Sequence, residues 1–258
     1  MSRSPDARWH GVGRTDVGLV RRANQDALLL RDELGLWIIA DGMGGHPGGD
    51  VASKVAVETT AAHVAALAES GGRHASDQTE GLRRAVLQAN VALHAEGDAR
   101  PEYKGMGTTL IALHIAGFPQ AQATLAHVGD SRAYLHRAGT LSQLTRDHSW
   151  VEDQIRAGLL STEEAATHPL RHMLTRALGI DTRVEPDILT LHLQTGDRIL
   201  LCTDGLTKML SDGEILEALT AYGKDTQAAC DALVRLANER GGQDNVTVLL
   251  VSDQVGRA

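Results

Sequence analysis

Five aspartates in this chain stand where an apolar run meets a tight loop. Asp41 ends the run Trp37-Ile38-Ile39-Ala40 and is followed by Gly42, and Asp204 ends Leu200-Leu201-Cys202-Thr203 and is followed by Gly205. Asp244 and Asn245 precede the run 246–251, Asp130 follows His127-Val128-Gly129 in a turn, and Asp26 follows Asn24-Gln25 just before Ala27-Leu28-Leu29-Leu30. A single Asp-Gly pair is usually only a turn, because Gly accepts positive φ and Asp caps its own backbone. Five acids at the ends of apolar strands are harder to read that way. Carboxylates gathered at one sheet edge repel one another strongly unless a cation neutralises them. Ligation by oxygen alone selects hard ions, Mg²⁺ or Mn²⁺. One carboxylate shared between two ions makes a two-metal site, which can activate water and clamp a phosphoryl group. The five glycines between positions 42 and 49 would let main-chain carbonyls and amides come close to such ions.

The elements that must position these acids follow from periodicity. Strands are expected at 27–30, 36–40, 108–115, 121–128, 133–137, 188–191, 197–203 and 246–252, with a further short strand after a turn near 139. Helices are expected at about 49–69, 79–97, 149–157, 161–166, 212–221 and 225–240, and residues 71–79 read as a loop. Ser161-Thr162-Glu163-Glu164 has the form of a capping box. Strands and helices do not alternate as in a parallel sheet. Their order suits antiparallel sheets flanked by helices, an α+β protein.

The 258 residues are 42% hydrophobic, enough for one sizeable core. Aromatic residues make up only 3%, so Leu, Val, Ile and Ala must fill it. A formal charge of −8 argues against a dedicated nucleic-acid binder. No apolar run is long enough to span a membrane, and the first residues lack the apolar stretch of a signal peptide. Cys202 and Cys230 are too few for a disulfide framework and suit a reducing cytoplasm.

Other phosphate chemistries lack their signatures. There is no G-x-x-x-x-G-K-[ST] loop, and GMGGHP departs from G-x-G-x-x-G at Pro47. A thiol phosphatase needs Arg six positions after its Cys, where this chain has Lys208 and Leu236. Asp41 is followed by Gly42 and Met43, not by a second Asp two positions on. His168 and His172 are four apart, but Pro169 between them argues against a helical zinc pair.

Taken together, TDVGLVRRANQD (15–26), ADGMGGHPGGDVAS (40–53), GMGTTL (105–110), HVGDSRAYL (127–135), the segment 145–179, CTDGL (202–206) and GGQDNVTV (241–248) resemble the metal-dependent protein phosphatases of type 2C in their compact bacterial form. The resemblance runs from about residue 11 to 251 and keeps the family order. It implies a β-sandwich of two antiparallel sheets flanked by helix pairs, a four-layer αββα arrangement, with a small helical flap at about 145–180. It implies a single catalytic domain at 9–253 with flexible ends at 1–8 and 254–258.

The resemblance also implies roles. Asp41 would bridge two Mn²⁺ or Mg²⁺ ions, with the Gly42 carbonyl on the second and Asp204 and Asp244 on the first. Asp130 with Asp204 matches the place of a weaker third ion. Arg21, favoured over the adjacent Arg22 by its spacing to Asp26, would grip the substrate phosphate, and Asp26 would orient metal waters. The reaction implied is direct attack of a metal-bridging water on phosphothreonine or phosphoserine in proteins, which needs no covalent phosphoenzyme. This chain departs from the family at Gln25, where many members have Glu, and at Met43, where animal members have a His proposed as general acid. His46 is the candidate replacement for that acid. The partners implied are phosphorylated proteins and a cognate Ser/Thr kinase, without nucleic acid or membrane. A monomer in the cytoplasm is the default. A pseudophosphatase that binds without turnover, and a phosphatase of anti-sigma-antagonist type, are the alternatives.

Overall fold

The computed structural model describes residues 8–43, 48–69, 75–116 and 121–253. In chain order the elements are β1 (Trp9–Asp16), β2 (Asp26–Arg31), β3 (Leu36–Asp41), α1 (Gly49–Glu69), α2 (Ala75–Ala99), β4 (Leu110–Ala116), β5 (Gln122–Val128), β6 (Arg132–Arg137) and β7 (Thr140–Gln143). There follow α3 (Trp150–Arg156), α4 (Thr162–Thr167), β8 (Asp187–His192), β9 (Arg198–Cys202), α5 (Asp204–Thr207), α6 (Asp212–Tyr222), α7 (Thr226–Glu239) and β10 (Val246–Asp253). Two five-stranded antiparallel sheets run in the orders β1-β10-β9-β6-β7 and β2-β3-β4-β5-β8.

Three buried layers explain why the strands read as continuous apolar runs rather than alternating ones. Along β3, Trp37 and Ile39 point between the sheets, where they meet Ile111, Leu113, Ile199, Leu201 and Leu249. Ile38 and Ala40 point the other way, against Ala52, Ala56, Val86 and Ala89 of α1 and α2. The other sheet does the same: Leu200, Cys202 and Leu250 pack on Ile215, Leu219, Leu233 and Ala237 of α6 and α7. A strand covered on both faces has no polar side to show. The expected four-layer αββα sandwich is therefore the observed one.

Four local expectations are corrected. The first is β1, read from sequence as no element. Its glycines weaken a strand signal, yet they are there for space. A Cβ on Gly11 would lie 2.2 Å from the Trp37 ring nitrogen, and one on Gly13 would lie 2.4 Å from Leu28. The second is α2, which begins at Ala75, inside the stretch expected as loop; Ser and Asp suit the first turn of a helix rather than its interior. The third is β4, which starts at Leu110 rather than 108, because Thr108 instead bridges Gly42 and Leu178. The fourth is the single-turn helix α5, which was not foreseen. The expected capping box at Ser161 with Glu164 is formed, and a second, not read from the sequence, is found at Ser211 with Glu214. Among the described residues no helix is long and apolar enough to cross a membrane.

Candidate active site

The acids gather at one end of the sandwich because strand ends from both sheets meet there. Asp26 and Asp41 are direct partners across β2 and β3. Asp130 lies in the turn between β5 and β6. Asp204 opens α5 at the end of β9, and Asp244 lies just before β10. Asp41, Asp130, Asp204 and Asp244 line an open cleft of about 330 Å³ together with Arg21, Gly42, His172 and Lys208. Asp26 lies buried behind it, 8% exposed.

Each acid is held by its neighbours. The Asp41 amide donates to Thr109 Oγ1 at 3.0 Å, and its carbonyl accepts from Thr108 Oγ1 at 2.9 Å. Thr109 is held in turn by Ser131 at 2.7 Å. Asp26 Oδ2 accepts from Thr203 at 3.0 Å and Thr247 at 2.6 Å, one threonine from each side of the β9–β10 pair. Asn245 ties down the loop that carries Arg21. Its Nδ2 donates to the carbonyls of Val17 and Ala23, each at 2.9 Å, and its Oδ1 accepts from the Gln25 amide at 2.8 Å. Arg21 then reaches into the cleft and donates to Asp244 Oδ2 at 2.8 Å. Arg22 does not line the cleft.

The glycines after the acids are present for want of room. Neither Gly42 nor Gly205 has positive φ. A Cβ on Gly42 would stand 2.1 Å from the Gly49 carbonyl oxygen, and one on Gly205 1.9 Å from that of Asn245. The Gly42 amide donates to Gln25 O at 3.1 Å, and the Met43 amide to Gly107 O at 2.9 Å.

The electrostatics are those of crowded acids. Burial, then the charges of Asp26, Asp204, Asp130 and Asp244, holds the Asp41 carboxyl well above its ordinary pKa. Burial likewise raises Asp26 to about 7, against the pull of its two threonine hydrogen bonds. Burial and Asp204 raise Asp130 to about 7. Lys208 pairs with Asp204 Oδ2 and lies 3.5 Å from Asp244 Oδ2. Burial lowers the ammonium's pKa, but Asp204, Asp244 and Asp130 outweigh it, and the net direction is up.

The donor set fits a hard divalent ion. Every candidate ligand is an oxygen, and two buried carboxylate oxygens, Asp26 Oδ1 and Asp204 Oδ1, have no hydrogen-bond partner among the described residues. Among the described residues no three acidic, histidine or cysteine side chains converge as a closed coordination cage. The acids line the cleft walls, with Asp204 and Asp244 held by Lys208 and Arg21.

The cleft thus brings together Arg21, Asp41, Gly42, Asp130, Asp204 and Asp244, with Asp26 behind them. His46 lies outside the described residues. Sequence reasoning missed Thr108, Thr109, Thr203, Thr247, Asn245, His172 and Lys208. The threonines carried a faint signal, since each sits within three residues of a motif acid or within GMGTTL.

A two-sheet sandwich with carboxylates and one arginine at its open end defines a metal-dependent phosphoester hydrolase. Comparison with known proteins agrees. The profile of the family described as Protein phosphatase 2C matches residues 20–246. The serine/threonine phosphatase stp of Listeria monocytogenes is 40% identical over 253 residues, covering 94% of this chain and 95% of that one. The crystal structure of the Mycobacterium tuberculosis serine/threonine phosphatase PstP/Ppp matches with 39% identity and a TM-score of 0.82, covering 95% of this chain and 98% of the other. A structure of the PstP catalytic domain in complex with two manganese ions matches at 36% identity and TM-score 0.82, covering 95% and 97%. The chain belongs to the protein phosphatase 2C family, the metal-dependent protein serine/threonine phosphatases.

Proposed function

We propose that this chain removes phosphate from phosphothreonine and phosphoserine in proteins, at the acid-lined cleft. One observation carries the assignment to that site: Asp26 and Asp41 oppose each other in register, with Asp130, Asp204 and Asp244 around them. Asp41, the Gly42 carbonyl, Asp204 and Asp244 would hold two Mn²⁺ or Mg²⁺ ions. When bound, the ions supply an activated water and neutralise charge on the phosphoryl group. Arg21 swings from Asp244 to the phosphate, which a guanidinium fork binds well. Asp26, fixed by Thr203 and Thr247 through Oδ2, keeps a buried Oδ1 without a partner among the described residues, an acceptor that would orient water. His46 would donate the proton that the leaving alkoxide needs. The single catalytic domain spans 9–253. The segment 145–180 would act as a flap, since Thr108 with Leu178 and Gly129 with His148 tie it beside the cleft and His172 lines the wall. The chain acts as a monomer in the cytoplasm and reverses a cognate Ser/Thr kinase.

The test is hydrolysis of a phosphothreonine peptide by the unaltered chain with Mn²⁺, with EDTA, and by Asp41→Asn with Mn²⁺. Turnover in the first reaction alone is expected. A folded, Mn²⁺-loaded chain inert toward a panel of phosphopeptides would overturn the proposal.

A further inference from the structure

Nothing in the sequence reading assigns Lys208 a role, yet its ammonium stands among the acids. Helix α5 is a single turn, and the Lys208 amide donates to the Asp204 carbonyl at 2.8 Å. Residues four apart on one turn lie on the same side, so the lysine stem folds back over Asp204. The turn is anchored by Leu206 and Leu210, both buried in the core under α6 and α7. The Lys208 side chain is 29% exposed, so most of it is enclosed by the cleft wall.

The oxygens of the two acids it touches are already divided. Asp204 Oδ2 is held by Lys208, while Asp204 Oδ1 is buried and free of partners among the described residues. Asp244 Oδ1 accepts from the Asn245 amide at 2.9 Å, and Asp244 Oδ2 faces both Arg21 and Lys208. Charge gives the same division. When ionised, Asp26, Asp41, Asp130, Asp204 and Asp244 carry five negative charges. Two divalent ions supply four positive charges and the Lys208 ammonium supplies the fifth. Arg21 is then left for the phosphate. A third divalent ion between Asp130 and Asp204 would have to displace Lys208 from Asp204 Oδ2 and would leave the cleft with excess positive charge.

We infer that Lys208 is a positioning residue that serves as a tethered cation of the cleft, holding Asp204 Oδ2 so that the site takes two divalent ions and no third. A tethered ammonium does not dissociate, so no weak ion is needed to complete the charge. The inference rests on the metal reading above, and its test separates the two. The full chain is titrated with Mn²⁺ by calorimetry, with free Mn²⁺ counted by electron paramagnetic resonance. The unaltered chain is expected to take up two equivalents. Lys208→Ala is expected to gain a third, weaker equivalent, which is lost again on adding Asp130→Asn. Lys208→Arg is expected to keep two. Lys208→Met retains the apolar stem and repeats the count should the alanine variant not fold. Three equivalents in the unaltered chain would overturn the inference. So would an unchanged count in both Lys208→Ala and Lys208→Met with a raised KM for a phosphopeptide, which would assign Lys208 to the phosphate. No uptake at all by the unaltered chain would remove the metal reading itself.

Discussion

Asp26 and Asp41 face each other across neighbouring strands, and like charges placed directly opposite destabilise a sheet. Such a local conflict marks a place shaped for chemistry rather than for folding. Replacing Asp41 with Asn removes an ionisable group whose pKa is pushed up by burial and by four neighbouring acids. Turnover should fall on the order of 10³-fold or more, because several kcal/mol of charge stabilisation is lost with the metal site. The metal-free variant should melt at a higher temperature than the unaltered chain at pH 7.5. Thermal denaturation in EDTA checks this, and a lower melting point would contradict the repulsion argued here. Gly205 illustrates the opposite constraint, since a methyl group there would meet the Asn245 carbonyl at 1.9 Å. Gly205→Ala should cost about 1–3 kcal/mol through overpacking. Urea denaturation reads this directly, and an unchanged midpoint would show that the α5–β10 contact yields easily.

At the scale of elements, the site depends on staples between segments far apart in sequence. Asn245 is 5% exposed and makes three hydrogen bonds to the loop after β1 that carries Arg21. Asn245→Ala leaves the Val17 and Ala23 carbonyls and the Gln25 amide without that partner; because Val17 and Ala23 are exposed and water can take the place of the amide, the change should cost about 1–3 kcal/mol in all. Because that loop positions the arginine, KM for a phosphopeptide should rise several-fold while two Mn²⁺ still bind. Steady-state kinetics beside calorimetry would test this; unaltered KM with lost Mn²⁺ would place Asn245 with the metal instead. The same staples explain what the sequence could and could not disclose. Asp41 and Asp204 were legible because an acid interrupts an apolar run, and β3 was legible because both its faces are buried. Asn245, Thr203 and Thr247 read as ordinary strand-edge residues. Their partners lie far along the chain, as with Thr203 and Asp26, 177 residues apart, and a local pattern carries no trace of that pairing. Strand β1 was hidden because Gly11 is dictated by the Trp37 ring packed over it. Lys208 was visible only as the residue that rules out a thiol phosphatase, since its meaning depends on Asp204 and Asp244 meeting at one end of the sandwich.

Over the whole molecule, folding forces the five acids together; on the proposed assignment of the metal ligands, binding of the ions relieves their repulsion, so stability should depend on pH and on metal jointly. Asp26 and Asp130 have pKa values raised to about 7, chiefly by burial. The folded metal-free chain therefore holds protons that the unfolded chain has released. Stability from these groups is fully present below the ordinary carboxylate range and is lost as pH rises through about 7. His127 works in the other direction. Burial lowers its pKa to about 3, so its contribution is present above the ordinary histidine range and is lost as pH falls. A pH scan of the metal-free chain mixes these two effects. Subtracting it from a scan with saturating Mn²⁺ cancels His127, which lies away from the cleft lining, and leaves the groups of the cleft, the acids together with His172. Protons and metal compete for the same carboxylates, so each proton displaced adds about 1.4 kcal/mol of metal stabilisation per pH unit. The difference in melting temperature between Mn²⁺ and EDTA should therefore be small at pH 5 and grow steadily to pH 8. A difference that is flat or that shrinks over this range would mean that the acids are already ionised in the metal-free fold, and that Lys208 and Arg21 alone are enough to hold them together.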